Sequence, residues 1–377
     1  MLEEFEKDRI IEPLLQWFGA NARRLPWREE VTPYRVWVSE IMLQQTRVEA
    51  VKPYFQHFME ALPDVRALAE CPEDVLLKLW EGLGYYNRVR NMQKAAQTVM
   101  QEYGGQLPAD YDALLSLSGI GHYTAGAIAS IAFGIPVPAV DGNVLRVITR
   151  LCGDESDIMK QSVRNGMEQE LLRFMPKDRA GAFNQALMEL GAVVCVPNGA
   201  PLCAGCPWEA SCRARTAGSW ERIPVKTKAK ARRIEDRTVF VIRIGDQVAL
   251  NQRPGKGLLA GLYEFPNTAG HLNEQQALCW VQEQGIAPLR IQPLEDAKHI
   301  FSHVEWHMQG YMIQADELEH PDDKLLFVEV DETRRRYPIP AAFAAYTRYM
   351  NIPLGVERMR MEPGNEKNQG IVKMIEK

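Results

Sequence analysis

The chain has 377 residues, 46% of them hydrophobic and 25% charged, with a formal net charge of −5. This suits a globular protein of two domains, each with a full hydrophobic core, and the small acidic surplus argues mildly against a nucleic-acid partner. The acidic N-terminus carries no signal or transit features, and the uncharged run at 123–140 is broken by Gly134, Pro136 and Pro138, which marks buried core and not a membrane span.

Residues 1–215 read as helical, with periods around 8–19, 34–50, 73–80, 87–102, 122–133, 142–151, 161–174 and 180–195. Thr32-Pro33 has the form of an N-cap followed by proline at the first helical position, and Asp110 and residues 160–162 mark other helix starts. The helix after Pro33 runs V-W-V-S-E-I-M-L-Q-Q-T. Glu40 sits there among apolar neighbours, an expensive place for a charge. It is either paired structurally, which spacing alone favours, or raised in pKa and suited to giving up a proton. Gln44, Gln45 and Thr46 offer short polar groups to base edges or to the helix end.

Residues 80–91, W-E-G-L-G-Y-Y-N-R-V-R-N, follow. Gly82 and Gly84 would make a turn that exposes Leu83 and Tyr85 beside Arg88 and Arg90. An apolar or aromatic wedge next to cations is a way to unstack a duplex, although tyrosines are more often packed inside, and one of Tyr85 and Tyr86 is expected in the core. Other charge is also clustered: 222–233 holds six basic residues and no acidic one, and the acidic surplus lies at 316–332. Such runs are equally well solvated surface.

Residues 117–146 read L-S-G-I-G-H-Y-T-A-G-A-I-A-S-I-A-F-G-I-P-V-P-A-V-D-G-N-V-L-R. Gly119 and Gly121 allow a tight turn, and the helix beginning near Thr124 would leave unpaired amides there, a site for a phosphate or an ordinary corner. Asp141 is the first charge after the long uncharged run, so it is held by helix-terminal amides or used in chemistry. Next, F-N-Q-A-L-M-E-L-G-A-V-V-C at 183–195 leads into Cys195, Cys203, Cys206 and Cys212, spaced C-x7-C-x2-C-x5-C. Four of the seven cysteines lie within eighteen residues, which points to a metal site in a reducing compartment, either zinc or an iron–sulfur cluster.

Residues 219–235 form a basic, proline-containing linker, after which the composition changes. R-T-V-F-V-I-R-I and Q-V-A-L-N-Q-R read as a strand pair about Gly245-Asp246. A helix at 274–284, strands near 298–304, 307–315 and 325–330 and a helix at 339–350 complete an α+β domain over 236–352. The tail at 353–377 is expected to be flexible.

The composite L-x-G-I-G-x-x-T-A followed by V-D-G-N-V resembles the helix-hairpin-helix DNA glycosylases, the superfamily that includes endonuclease III and the MutY-type adenine glycosylases. R-P-G-K-G-L-L-A-G-L-Y-E-F-P at 253–266 resembles the opening of a Nudix domain. The helix that would carry R-E-x-x-E-E-x-G instead reads A-L-C-W-V-Q-E-Q-G-I, so no nucleotide hydrolysis is expected. Degenerate Nudix-like domains are the C-terminal half of the MutY-type enzymes. The fold class implied is multidomain α plus α+β: a helical catalytic region at 1–218, its hairpin at about 110–133 and its iron–sulfur loop at 195–212, then the Nudix-like domain.

The resemblance extends over about 8–350 and implies particular roles. Glu40 would be the general acid and Asp141 the second catalytic carboxylate, with Tyr123 orienting Asp141 or the sugar and Asn143 supporting Asp141. Tyr123 stands where the lyases of the superfamily carry a Schiff-base lysine, which implies a monofunctional glycosylase. Trp27, Arg28, Leu43 and Gln185 would line a pocket for a flipped adenine. Gln45 and Tyr85 would intercalate, Thr46 and Leu83 would touch an 8-oxoguanine, and Phe301, Ser302 and His303 form the family's F-S-H loop that reads it; without the family, a lone histidine there is core or surface. The amides of Gly119 and Gly121 would hold a phosphate, with a monovalent cation at the hairpin. Cys195, Cys203, Cys206 and Cys212 would hold a [4Fe–4S] cluster, the first gap being one residue longer than the family's.

The implied partner is double-stranded DNA with an A:8-oxoguanine or A:G mispair, with no membrane partner. The implied protein is a monomer and, from a bacterial source, cytoplasmic and nucleoid-associated. The alternatives are an endonuclease III-like glycosylase–lyase, a non-catalytic iron–sulfur DNA-binding scaffold, and a nucleotide hydrolase.

Overall fold

The structure, a computed structural model, describes residues 2–227, 231–318 and 325–355. These divide into two compact units, one within 1–69 and 91–229, the other within 70–90 and 230–377. Most of the expected tail, from 356 on, lies outside the described residues.

The helices in chain order are α1 (Lys7–Asn21), α2 (Pro26–Glu29), α3 (Pro33–Leu43), α4 (Val48–Ala61), α5 (Val65–Glu70), α6 (Glu73–Leu79), α7 (Asn87–Glu102), α8 (Tyr111–Ser116), α9 (His122–Phe133), α10 (Gly142–Cys152), α11 (Gln161–Phe174), α12 (Ala180–Val193) and α13 (Arg213–Thr216). In the first unit α12 packs against α1, α9 and α10, and α3 packs against α9. Leu14, Val144, Ile148, Leu151, Phe183, Leu187 and Leu190 are part of its core. The Thr32 hydroxyl accepts from the Arg35 amide at 3.2 Å and Asp110 accepts from Ala113 at 2.8 Å, so both expected caps form.

One expected helix, at 34–50, is two helices. The chain turns at Gln45, whose φ is +60°, a left-handed conformation that no helix interior tolerates. Helix α4 then runs on to Ala61 despite Pro53, on an apolar face that buries Val51, Tyr54, Phe55 and Phe58. The segment after α9 crosses that helix closely. A Cβ on Gly126 would lie 2.3 Å from the Pro138 carbonyl oxygen, so only glycine allows the approach that delivers Asp141 to the head of α10.

The second unit is built on strands β1 (Arg233–Ile244), β2 (Gln247–Gln252), β3 (Tyr263–Glu264), β4 (Asn267–Ala269), β5 (Ile286–Ile300), β6 (Val304–Leu318) and β7 (Leu325–Glu329), with helices α14 (Glu274–Glu283), α15 (Val330–Thr333) and α16 (Ala344–Thr347). The sheet order is β3-β2-β1-β6-β5, with β7 on β2 and β4 on β1; β1 and β6 are parallel. Alternate residues of β1 serve two cores, Val239 and Val241 beside Trp306 and Tyr346, and Phe240 and Ile242 beside Val281 and Ile313. Strand β5 starts at 286 and not 298, because Pro288 and Pro293 and three register shifts hide its alternation. The expected helix at 339–350 is α16 flanked by 3-10 turns at Ala341–Phe343 and Arg348–Met350.

Residues 70–90, which lie within the stretch 1–218 expected as the helical catalytic region, group with the second unit. The Lys78 ammonium, 4% exposed, donates to both Glu81 carboxylate oxygens at 2.9 Å, to the Thr333 carbonyl at 2.8 Å and to the Tyr337 carbonyl at 3.2 Å. Glu81 in turn accepts from the Ile339 amide at 2.8 Å. A buried charge pair survives only when its remaining hydrogen-bonding capacity is used, and here loop 333–339 uses it.

Candidate active site

Glu40, on α3, is 6% exposed. Burial pushes its carboxyl up to about 7; the Asp141 charge adds to the rise, while the Tyr123 hydrogen bond and Arg28 pull it back. Tyr123, the second residue of α9, donates its hydroxyl to Glu40 Oε2 at 2.5 Å, and the Tyr123 hydroxyl oxygen is 3.8 Å from Met188 Sδ. Burial also raises the phenol well above its ordinary value, so it stays protonated and acts as a donor. The packing of α9 on α3 brings the Tyr123 hydroxyl to the Glu40 carboxyl.

Asp141 caps α10. Its Oδ1 accepts from the amides of Asn143 at 2.9 Å and Val144 at 2.8 Å, and its Oδ2 accepts from Asn143 Nδ2 at 2.8 Å. Burial raises its pKa from 3.8, and those donors together with Arg146 pull it back. Glu40 and Asp141 repel one another as anions, so one proton between them settles on the carboxyl with no amide donors. That carboxyl is Glu40. A buried carboxyl that accepts from a phenol thus stands beside a carboxyl that accepts from three N–H groups.

Arg28 donates through Nε to Gln185 Oε1 at 3.1 Å and its guanidinium lies 5.4 Å from the Phe18 ring centre. Trp27 is buried edge-on to Phe55, and Leu43 and Gln185 are half-buried. Gln45 is exposed at its left-handed turn, with Thr46 half-buried beside it. At the hairpin, Gly119 has φ +76° and its missing Cβ would fall 2.7 Å from Asn91 Cβ, whereas Gly121 has open space and precedes α9.

Within the second unit, Gly82, Gly84 and Tyr85 all take positive φ. Leu83 is buried and Tyr85 is 49% exposed, its hydroxyl 3.2 Å from Ser302 Oγ. Backbone strain of this kind gathers where a side chain must be presented outward. Arg88 does not point away as an open cation: it donates to the carbonyls of Leu83 at 3.0 Å and Gly84 at 3.1 Å and lies over Trp80 and Tyr85. Phe301 packs edge-on to His299 and Trp306, and His303 is exposed with its carbonyl accepting from Arg233.

Cys195, Cys203, Cys206 and Cys212 are free thiols that border one hollow with Arg150, Pro201 and Trp220. Arg150 Nη1 lies 3.4 Å from Cys195 Sγ. Among the described residues no three His, Cys, Asp or Glu side chains converge on a single-ion geometry.

Residues 38–172 match the profile of the HhH-GPD superfamily base excision DNA repair proteins, and 238–348 match that of the NUDIX domain. The adenine DNA glycosylase of Homo sapiens is 37% identical over 361 residues, 79% of this chain and 65% of that one. The adenine DNA glycosylase of Buchnera aphidicola subsp. Acyrthosiphon pisum (strain APS) is 33% identical across 80% of this chain and 85% of its own length. The chain belongs to the adenine DNA glycosylase family. The solved structure of a thermostable thymine-DNA glycosylase is 25% identical and covers 58% of this chain and 100% of its own, with a TM-score of 0.52. This chain thus spans just under two thirds of the human glycosylase it resembles.

Two groups of this chain were not singled out in the sequence. Arg146 donates to Asn143 Oδ1, to the Gly191 carbonyl and, through Nε, to the Cys195 carbonyl, each at 2.8 Å, which joins the support of Asp141 to the cysteine loop. Glu189, 1% exposed, takes Arg23 and Arg28 together. A charged residue four positions after Gln185, on the same helix face, was the available signal.

Proposed function

We propose that this chain excises adenine paired with 8-oxoguanine, or with guanine, from duplex DNA. The observation that carries the reading is the pairing of two buried carboxyls with unlike partners, Glu40 accepting from the Tyr123 hydroxyl and Asp141 from three N–H groups at the head of α10. Adenine leaves once its N7 is protonated. With the base flipped out of the stack, Glu40 gives its proton to N7. The C1′–N9 bond then breaks, its electron pair going to the neutralised base. The cation left at C1′ is met by the Asp141 carboxylate, as an ion pair or a transient adduct, and water adds at C1′, replacing any adduct and giving up its proton to the now ionised Glu40, which leaves an abasic site and restores the acid. Tyr123 offers no amine for a Schiff base, so the enzyme is monofunctional.

Trp27, Arg28, Leu43 and Gln185 enclose the base. Gln45 and Tyr85 fill the gap in the stack, Thr46 and Leu83 touch the opposite base, and Phe301, Ser302 and His303 read 8-oxoguanine. The left-handed turns at Gln45 and Tyr85 support this, because both present a side chain at a strained bend. Gly119 and Gly121 hold a phosphate with a monovalent cation. The enzyme acts as a monomer at the nucleoid of a bacterial cytoplasm; among the described residues no helix is long and apolar enough to cross a membrane.

Cys195, Cys203, Cys206 and Cys212 suit a [4Fe–4S] cluster: four thiols border one hollow, and Arg150 faces Cys195 with compensating charge. When bound, the cluster cross-links residues 195–212 and adds a centre able to exchange an electron.

The test is incubation with duplexes carrying A opposite 8-oxoguanine, G, C or T, followed by alkali. Breaks confined to the first two and dependent on alkali are expected, with no adduct on borohydride treatment. Breaks without alkali together with a trapped adduct would establish a lyase instead, and activity unchanged in Glu40→Gln would remove the acid from the mechanism.

A further inference from the structure

The Glu189 carboxylate is buried on α12, four residues after Gln185, and collects four donors. The Arg23 amide at 3.1 Å and Arg23 Nε at 2.6 Å reach Oε1; Arg23 Nη2 at 3.1 Å and Arg28 Nη2 at 3.0 Å reach Oε2. Arg28 is thereby held by all three of its nitrogens, since Nη1 donates to the Arg23 carbonyl at 3.2 Å and Nε to Gln185. Because Gln185 accepts through Oε1, its amide N–H groups face away from Arg28 and remain available to an acceptor nitrogen of a bound base.

The position of this cluster matters for the acid. The groups acting on Glu40 are Tyr123 from α9, Asp141 from the head of α10, and Arg28 from α2. Arg28 is the only cation of the three, and a free guanidinium would favour the ionised acid, which cannot donate a proton.

We propose that Glu189 is a positioning residue that clamps Arg28 against Gln185 and neutralises it, so that a cation needed beside the base does not strip Glu40 of its proton. Burial alone would raise the Glu189 carboxyl, but Arg23 and Arg28 outweigh it and hold it below the usual range, so the clamp stays charged wherever the enzyme works. Arg23 completes the pair by anchoring the loop that leads into Trp27 and Arg28.

This inference rests on the excision reading above. Its test is the pH dependence of single-turnover adenine release by the intact, cluster-loaded chain. In Glu189→Gln the alkaline limb should move down by about half a pH unit or more, because Arg28 then acts on Glu40 without its counter-charge. In Arg28→Met the limb should move up, because the cation has gone and the Glu189 charge remains; the double variant should fall between the two. A role in folding alone would slow the rate in each variant and leave the limb in place. Unshifted limbs, or limbs displaced in the same direction, would overturn the proposal. If Glu189→Gln does not fold, Glu189→Asp, which keeps the charge but draws it back from Arg28, should still move the limb down, and an unshifted limb there would overturn the proposal. A wild-type chain that releases no adenine would defeat the excision reading itself, whereas a normal wild type with unshifted variants would defeat only the role of Glu189.

Discussion

Replacing Glu40 by Gln should abolish excision and at the same time stabilise the fold. The carboxyl rises from 4.5 in the unfolded chain to about 7 in the native one. Between those values the native state holds a proton that the unfolded state has lost, so stability falls as pH rises through this window. Above it the full cost persists. At 1.36 kcal/mol per pKa unit the cost is about 3 kcal/mol at pH 8, falls below about 1 kcal/mol at pH 5, and vanishes at lower pH. Gln has the shape of the protonated acid and can still accept from Tyr123. The variant should therefore melt roughly 6–12 °C higher than wild type at pH 8, with the gap closing at pH 5. The assay is thermal unfolding of the intact chain at both pH values, alongside single-turnover release, which should drop by about 10²–10⁴-fold. A Glu40→Gln protein no more stable than wild type at pH 8, or equally stabilised at pH 5, would refute the reasoning that this side chain is held protonated by burial.

Gly126→Ala should cost about 2 kcal/mol or more by calorimetry and slow excision, because the new methyl meets the Pro138 carbonyl at 2.3 Å and must push away the segment leading to Asp141. Lys78→Met should destabilise the second unit by about 3–5 kcal/mol in urea titration, since it leaves Glu81 charged and buried; Lys78→Met with Glu81→Leu should recover much of the loss. Cys206→Ala should lower the iron content of the purified protein and its visible absorbance, whereas Cys279→Ala, at an exposed position outside the loop, should change neither.

Much of the site was legible because its chemistry is local. Asp141 could be read from its place after an uncharged run, and the caps at Thr32 and Asp110 from residue type at a helix start. Glu40 could be located but not resolved: whether a buried carboxyl is paired or protonated depends on Tyr123, 83 residues away. For the same reason the hydrogen bond from Tyr123 to Glu40 could not be read from the sequence. Long-range pairing also hid Glu189, whose arginines come from the other end of the unit, and the attachment of 70–90 to the second unit, which depends on Lys78 meeting carbonyls 255 and 259 residues along the chain. The fold was read best where periodicity dominates, as in α9, α10 and β1. It was read worst where prolines interrupt it, as in α4 and β5.

The most direct test is to follow the Glu40 carboxyl itself by carbon NMR of glutamate-labelled protein, with Glu40→Gln to identify the signal. It should titrate near 7 and move to lower pH in Asp141→Asn, where the neighbouring charge that helps to hold its proton is gone. A midpoint near the ordinary 4.5, unmoved by Asp141→Asn, would contradict the pairing of a protonated acid with an ionised partner.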